Sequence, residues 1–297
     1  MTRITLLALA VLPLTVAAAQ GSSSRTELIS FWSDRAGLPG VWVMTPSGSA
    51  RRLLTGTRSR AKRGDFAPDA HRIAFDGQPV TGGVFDFDIQ LVRIDGQGRR
   101  GLTRGRARDV EARWAPAGGT IAFQRQYGEF GAPSIWTVEP SGRNLRRLAS
   151  GSSPIWSPDG ESLLFSRTGS SSTGADVFRM KRDGSGARLV FRSRDDDFPS
   201  AWSPDGRRIL ITRLSRRAAR ASVWVLRADG GGARRLTHGN YDLAADFSPD
   251  GRKILFTRIS RSANNERGQV YIARVDGSNA TNLSRNRADE NATSWAR

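Results

Sequence analysis

A Phe or Trp residue recurs six times along the chain, at intervals of 42 to 48 residues. We call these aromatic residues the anchors. A tight turn that contains proline follows five of them, and a hydrophobic strand follows each turn. A period in this range is typical of repeated supersecondary units. The sequence therefore predicts a repeat protein. The anchors are Phe66, Trp114, Trp156, Trp202, Phe247 and Trp295.

Three of the turns read Ser-Pro-Asp-Gly, at residues 157–160, 203–206 and 248–251. Proline presets φ for the first corner of a type I turn, and glycine takes the position that needs a positive φ. Each turn therefore predicts a hairpin. A third strand follows in every repeat and ends at Ser-Gly or Asp-Gly, pairs that favour a further hairpin and a fourth strand. Four antiparallel strands, repeated radially, predict a propeller blade.

The two ends of the chain complement each other. The sequence stops at residues 295–297, where the next turn should begin, and the strand expected after that turn occurs at residues 27–31. We predict that the N-terminal and C-terminal strands pair within one blade, which closes the ring and removes exposed sheet edges. The expected fold is an all-β, six-bladed β-propeller of four-stranded antiparallel blades over residues 26–297.

The chain begins with a pattern typical of a secretory leader. Arg3 precedes an apolar stretch over residues 4–16, and three alanines follow at 17–19. This order predicts a signal peptide over residues 1–19, cleaved near Ala19, and a short linker over residues 20–25. A membrane anchor is the alternative, although the stretch is shorter than the roughly 20 apolar residues that span a bilayer.

The formal net charge is +18, and the chain has no cysteine. Such an excess of positive charge can attract an acidic polymer. The arginines are spread through every repeat, and no recognition helix, zinc finger or RNA-binding signature accompanies them. Nucleic acid is therefore not the expected partner.

The Trp/Phe-Ser-Pro-Asp-Gly turns, the apolar strands after them and endings such as Arg-Arg-Leu-Thr at residues 234–237 resemble the WD-like repeats of the TolB family, periplasmic components of the Tol–Pal system. The resemblance covers residues 26–297. It implies a periplasmic or extracellular, non-catalytic protein that binds an envelope protein or peptide, and we expect a monomer. The α/β domain that usually precedes a TolB propeller has no room in this chain, so a role that needs that domain is not expected.

Acidic residues recur five positions before four of the six anchors, at the predicted entrance to the innermost strands. Projected around a ring, they would surround one mouth of the central channel, and two further acids lie beside them. This arrangement predicts a partner-binding site that suits a basic peptide or a cation. Alternatively, these side chains cap loops by accepting backbone hydrogen bonds. The candidate residues are Asp109, Asp197, Asp242, Glu290, Asp195 and Asp196.

Loops of variable length are expected on one face of the disc, at residues 33–40, 76–87 and 258–268. Variable loops on a rigid scaffold often carry binding sites. We expect the partner to bind at this face.

Catalysis is not expected. His71 and His238 are the only histidines, too few for a histidine-rich metal site, and no Gly-x-Ser-x-Gly nucleophile motif is present. The sequence predicts no catalytic residue, no metal and no cofactor. The alternatives are a propeller that binds a small molecule or glycan, a propeller that cleaves a glycan with channel carboxylates, and an accessory subunit of a separate peptidase.

Overall fold

The computed structural model describes residues 27–56, 60–78, 86–169, 174–262 and 265–297. The predicted signal peptide, the linker and residue 26 lie outside these ranges. All 24 secondary-structure elements of the described residues are strands. In the first half of the chain they are β1 (Ile29–Ser33), β2 (Gly40–Met44), β3 (Arg52–Leu53), β4 (Ala61–Phe66), β5 (Arg72–Gly77), β6 (Asp88–Arg93), β7 (Arg100–Gly101), β8 (Ala107–Trp114), β9 (Ile121–Tyr127), β10 (Ser134–Val138), β11 (Arg146–Ser150) and β12 (Ser152–Trp156).

In the second half they are β13 (Ser162–Thr168), β14 (Ala175–Lys181), β15 (Arg188–Phe191), β16 (Asp196–Trp202), β17 (Arg208–Ser215), β18 (Arg220–Arg227), β19 (Arg234–Arg235), β20 (Asp242–Phe247), β21 (Lys253–Ser262), β22 (Asn265–Arg274), β23 (Thr281–Asn282) and β24 (Glu290–Trp295). They form six antiparallel sheets of four strands. Blade 1 is β24-β1-β2-β3, and blades 2 to 6 follow as β4–β7, β8–β11, β12–β15, β16–β19 and β20–β23. The predicted six-bladed propeller is confirmed.

Ring closure occurs in blade 1. Strand β24 pairs with β1 in antiparallel register, from Ile29 opposite Trp295 to Ser33 opposite Glu290. The amide of Ala296 also donates to the carbonyl of Leu28 at 2.8 Å. The predicted pairing of the two ends is therefore confirmed, and the innermost strand of this blade comes from the far end of the chain.

The turns after the anchors form as predicted. In the three Ser-Pro-Asp-Gly turns the glycine amide donates to the serine carbonyl three residues earlier at 2.8–2.9 Å. Gly160 has φ of 72°, in the left-handed region where glycine carries no Cβ penalty. In blade 2 Ala70 takes this position with φ of 57°.

The hydrophobic core lies between the blades. One cluster joins Ile89 and Leu91 of blade 2 to Ile121 and Phe123 of blade 3, and similar clusters occupy the other blade interfaces. The middle strands are covered on both faces, which explains their nearly continuous apolar runs. Each blade is stabilised by its two neighbours, so the ring depends on closure.

One predicted loop is mainly strand. Residues 258–268 of blade 6 continue the β21–β22 ladder outward, with Arg258 opposite Gln269 and Ser262 opposite Asn265. The apolar pattern ends before this point, but ladder hydrogen bonds join backbone groups and do not require apolar side chains. The predicted loop of blade 2 lies partly outside the described residues.

Candidate functional site: the central channel

The innermost strands of the six blades surround a cavity of about 560 Å³ on the axis of the ring. Each of these strands contains a β-bulge. In three adjacent blades the bulged segment contains a non-glycine residue in the left-handed region: Arg63 with φ of 47°, Glu111 with 60° and Ser153 with 53°. Such conformations cost on the order of 1 kcal/mol or more and persist where the surrounding structure imposes them. The bulges aim these residues at the channel.

The charged side chains of the cavity wall lie on blades 2 and 3. Strands β4 and β8 contribute Lys62, Arg63, Arg108, Glu111 and Arg113, and Asp76 on β5 is also part of the wall. We call this side the basic wall. Neutral side chains make up the rest of the lining on blades 4, 5, 6 and 1, including Ser152, Phe198, Leu243 and Asn291. We call the part of this lining around Phe198 and Leu243 the apolar wall.

The four predicted carboxylates occupy equivalent positions at the start of innermost strands. Asp109, Asp197, Asp242 and Glu290 are at most 1% exposed. They are absent from the cavity lining, which begins one residue further along on three of the strands, at Phe198, Leu243 and Asn291, and includes Arg108 and Val110 on either side of Asp109.

Each of these carboxylates pairs with an arginine of its own blade. Arg125 donates to both oxygens of Asp109, through Nε at 2.7 Å and Nη2 at 2.6 Å. Arg258 forms the same fork with Asp242, at 2.8 and 3.0 Å. Bidentate pairs of this kind are strong and fixed in orientation. The remaining pairs are Arg213 with Asp197, 2.8 Å from Nε to Oδ1, and Arg35 with Glu290, 2.8 Å from Nε to Oε1.

These arginines also lie over aromatic rings. The guanidinium carbon of Arg125 is 4.7 Å from the centre of the Trp136 ring, that of Arg213 is 4.0 Å from Trp224, and that of Arg258 is 5.0 Å from Tyr271. The ring face attracts the cation and completes its packing. We call the four carboxylate–arginine pairs the mouth ring. Its carboxylates share their charge with arginines, so the mouth ring is not a source of net negative charge.

Sequence reasoning did not identify the arginine partners, although a signal exists. Three of them, Arg125, Arg213 and Arg258, lie 11 residues after an anchor. The exceptions are consistent with this pairing. Blade 4 has Arg167 at that position but Gly151 in place of the carboxylate, and Arg167 donates to the carbonyl of Ser150 at 3.2 Å.

The two additional acids, Asp195 and Asp196, are partly exposed beside the mouth ring. Asp195 Oδ1 accepts the amide of Arg216 at 3.3 Å, and Asp196 Oδ1 accepts the amide of Ala175 at 2.7 Å. Arg216 Nε lies 3.5 Å from Asp196 Oδ2. These side chains cap loop backbone groups and retain contact with water.

Asp76 contacts both the backbone of blade 3 and the side chain of Arg63 in the basic wall. Its Oδ1 accepts the amide of Glu111 at 2.8 Å, and its Oδ2 lies 3.5 Å from Nη1 of Arg63. Burial raises the pKa of Asp76 to about 7. Thr212 and Thr257 accept the corresponding amides of the next blades, both at 2.9 Å. Asp76 therefore takes the place of a structural threonine in this part of the wall.

Two exposed aromatic side chains lie at the end of β9 and in the loop that leads to β10, and Pro133 of this loop lines the cavity. Tyr127, the last residue of β9, is 60% exposed, and Phe130, in the loop after β9, is 93% exposed. Tyr127 is paired with Ala107 and Gln126 with Arg108 at the start of β8. Large exposed aromatic side chains are enriched at protein contact surfaces.

The opposite mouth is a separate funnel of about 290 Å³, lined by anchors and turn prolines. Arg113 lies 3.5 Å from Asp65, and Arg297 lies 2.8 Å from Asp246. Asp65 Oδ2 and Asp246 Oδ2 accept the amides of Trp114 and Trp295 at 2.8 and 3.0 Å. Burial raises the pKa of Asp65. The acids of this funnel join neighbouring blades.

Metal ligands are not grouped in the described residues: no cluster of three or more His, Cys, Asp or Glu residues there could hold an ion. His71 and His238 are both exposed. A search of the same ranges finds no helix with the length and apolar character of a membrane span.

A profile of the TolB beta propeller domain matches residues 64–210 and 149–297. With its six closed blades, the chain belongs to the TolB β-propeller family. A 75-residue segment is 35% identical to the Tol-Pal system protein TolB of Zymomonas mobilis, over 24% of this chain and 16% of that protein. A 105-residue segment is 31% identical to the uncharacterized peptidase YuxL of Bacillus subtilis, over 33% of this chain and 16% of that protein. The matched segments thus span about a sixth of these relatives.

Solved structures show the same fold at low sequence identity. TolB from Acinetobacter baumannii superposes with a TM-score of 0.74 at 18% identity, over 91% of this chain and 66% of that one. An oligogalacturonate lyase in complex with manganese gives a TM-score of 0.57 at 12% identity, over 86% and 73% of the two chains. At these identities the likeness is one of fold alone.

Proposed function

We propose that this protein is an exported, non-catalytic binding module of the bacterial envelope that holds a segment of a partner protein at the mouth of its channel. The observation that carries the proposal is the combination of an open channel cavity with exposed Phe130 in the loop before β10, a loop whose Pro133 lines that cavity. Aromatic side chains dominate the energetics of protein interfaces, and an exposed one next to a concave site is suited to a partner. Family membership supports the envelope role, because relatives are named as Tol-Pal system proteins.

The predicted site residues have two roles in this proposal. Asp109, Asp197, Asp242 and Glu290, paired with arginines, keep the mouth in one shape. Asp195 and Asp196 retain exposure outside the channel lining and are available to contact basic groups of the partner there, apart from the segment held in the channel. A rigid mouth lowers the entropy cost of binding, since fewer side chains must be ordered on association.

A plug in the channel tests the proposal. Leu243 lines the cavity, and Leu189 is 42% exposed on the outer strand β15. Leu243→Trp should obstruct the channel, and Leu189→Trp is the matched control. The tagged chain is incubated with an envelope extract of the source organism, cross-linked and recovered, and bound proteins are identified by mass spectrometry. We expect one envelope protein to be recovered with the wild type and the control and to be lost with Leu243→Trp.

Equal recovery with all three chains would show that the channel is not the binding site. Cleavage of oligogalacturonate or of peptides by the purified chain, absent from Leu243→Trp, would replace the proposal with the enzymatic alternative. A second pair of variants tests the exposed aromatic side chain. Phe130→Ala should weaken partner recovery, and Leu145→Ala, which changes a 44% exposed side chain in a turn between β10 and β11, should not.

Export is tested on the protein itself. N-terminal sequencing of the chain recovered from the periplasm or medium should begin near Gln20. A chain that keeps Met1 in the cytoplasm would contradict the envelope role.

A further inference from the structure

The two walls of the channel differ in chemistry and lie on opposite sides of the ring. In a ring of six, blade 2 lies across from blade 5 and blade 3 across from blade 6. Lys62 and Arg108 on blades 2 and 3 are therefore opposed to Phe198 and Leu243 on blades 5 and 6. A ligand that fills the channel meets both walls at once.

The positive charge of the basic wall is only partly balanced. Arg63 shares two carboxylates, Asp76 at 3.5 Å and Glu111 at 3.9 Å. Arg113 is paired with Asp65, which lies in the funnel at the opposite mouth, at 3.5 Å. In the described part of the chain, Lys62 and Arg108 have no ion-pair partner within 4 Å. Two partly buried cations thus remain without an ion pair in the cavity wall, where a concave surface lined by one sign of charge focuses the field.

The setting of Lys62 is unfavourable without a ligand. Its ammonium lies 4.7 Å from the centre of the Trp32 ring. Burial and then the charge of Arg63 lower the pKa of Lys62, and the carboxylates of Asp289 and Asp76 offset this only in part. A carboxylate placed beside this ammonium would reverse both effects, since it pairs the charge that burial penalises.

We propose that the segment held in the channel is an acidic peptide whose carboxylates pair with Lys62 and Arg108 while its apolar side chains contact Phe198 and Leu243. The inference rests on the proposed function and specifies the chemistry of the partner. A peptide can carry carboxylates and apolar side chains along one short segment. An oligouronate or a nucleic acid also offers anions, but its sugars carry polar oxygens that Leu243 and Phe198 cannot satisfy, so that only Ser200, Thr212 and Thr257 on these blades would pair with them. The cavity of about 560 Å³ is within the usual range of roughly 300–1,000 Å³ for a ligand site.

The test uses fluorescent peptides of six residues and the full chain. One probe alternates glutamate with leucine, a second alternates lysine with leucine, and a third alternates glutamate with glycine. Fluorescence anisotropy gives the affinity of each for the wild type, for Lys62→Gln/Arg108→Gln and for Lys253→Gln/Arg188→Gln. The last variant removes the same two charges at exposed positions outside the channel. Thermal unfolding confirms that each variant is folded.

We expect the glutamate–leucine peptide to bind most tightly, with an affinity that falls as salt rises. The channel variant should weaken this binding by roughly tenfold or more, the usual effect of losing a charge-assisted contact. The surface variant should change the affinity by less than about twofold, since exposed charges act through a screened field. The glutamate–glycine peptide should bind more weakly because it lacks contact with the apolar wall.

Three results would overturn the inference, and each is distinct from failure of the proposed function. Equal binding of the lysine–leucine peptide, lost in Leu243→Trp, would show a peptide channel with no preference for acid. Tighter binding of tetragalacturonate than of the glutamate–leucine peptide would assign the basic wall to an acidic glycan. If no probe binds while the envelope partner is still captured through the channel, the proposed function stands and the proposal that the bound segment is acidic is wrong.

Discussion

The mouth ring and the basic wall are neighbours in the same channel, yet they use charge in opposite ways. In the mouth ring each carboxylate is at most 1% exposed and lies within hydrogen-bond distance of an arginine. In the basic wall the closest ion pairs are 3.5 Å apart, and Lys62 and Arg108 are unpaired within the described residues. Buried charges that are matched in place belong to the framework, whereas unmatched charges beside a cavity are available for recognition.

The largest expected effect comes from breaking one pair of the mouth ring. Arg125→Met leaves the carboxylate of Asp109 buried without its partner, which should lower the free energy of unfolding by about 3–5 kcal/mol. Arg167→Met in blade 4 is the matched control, because that arginine occupies the same position but has Gly151 in place of the carboxylate, and Asp176 opposite it on β14 is paired with Arg192 instead. The control should cost about 1 kcal/mol, from its contact with Phe165 and Phe178. Urea denaturation of both variants measures the difference.

A double variant sharpens this result. Arg125→Met combined with Asp109→Leu replaces the pair with apolar side chains of similar volume, and most of the lost stability should return. If the single and double variants are equally unstable, packing and not the unpaired charge accounts for the loss.

The next effect concerns pH and Asp76. Because the folded-state pKa of Asp76 is about 7, above the ordinary value of 3.8, the folded chain holds a proton that the unfolded chain has released between these values. This group therefore stabilises the fold at low pH, and the stabilisation is lost as pH rises through about 7. Asp76→Thr introduces the residue found at Thr212 and Thr257, and it should gain on the order of 2 kcal/mol relative to the wild type between about pH 5 and pH 8.

The comparison is made by unfolding both chains across this range. Asp76→Val introduces a side chain with the shape of threonine that cannot accept a hydrogen bond from the amide of Glu111. This variant should remove the pH dependence and also lower stability at every pH. A constant difference between wild type and Asp76→Thr across the range would contradict the raised pKa.

The smallest expected change in stability comes from the basic wall. Lys62→Gln/Arg108→Gln removes no ion pair, and relief of the burial penalty on Lys62 offsets the loss of its contact with the Trp32 ring, so the free energy of unfolding should remain within about 0.5 kcal/mol of the wild type. The same variant should lose binding of the acidic peptide. A loss of several kcal/mol, comparable to that of Arg125→Met, would show that Lys62 and Arg108 stabilise the fold as the mouth-ring arginines do. The proposed difference between the basic wall and the mouth ring would then be wrong.

The fold was accessible from sequence because its signals are local and repeated. The anchors, the Ser-Pro-Asp-Gly turns and the strand split between the two ends each follow from short-range rules, and together they predicted six blades and the pairing of Ile29 with Trp295. The positions of Asp109, Asp197, Asp242 and Glu290 at the start of innermost strands were also predictable from spacing.

The net charge of the channel was not predictable in the same way. In three blades the neutralising arginine lies on the second strand, opposite the carboxylate on the innermost strand. The acids that recur five residues before the anchors therefore do not by themselves reveal the charge of the mouth. The left-handed bulges at Arg63 and Glu111 leave no sequence signal, since non-glycine residues there are held by contacts between blades. Sequence predicted the carboxylates at the start of the innermost strands, and the structure was needed to find the arginines that pair with them.

The most direct test of the account uses its three lysines. Lys62 lines the channel, whereas Lys181 and Lys253 are exposed outside it. The chain is acetylated briefly with and without the glutamate–leucine peptide, and mass spectrometry measures the rate at each lysine. The account predicts that the peptide slows acetylation of Lys62 by roughly tenfold, as expected when an ion pair occupies the amine, and leaves Lys181 and Lys253 unchanged. Equal rates at Lys62 with and without a bound peptide would contradict it.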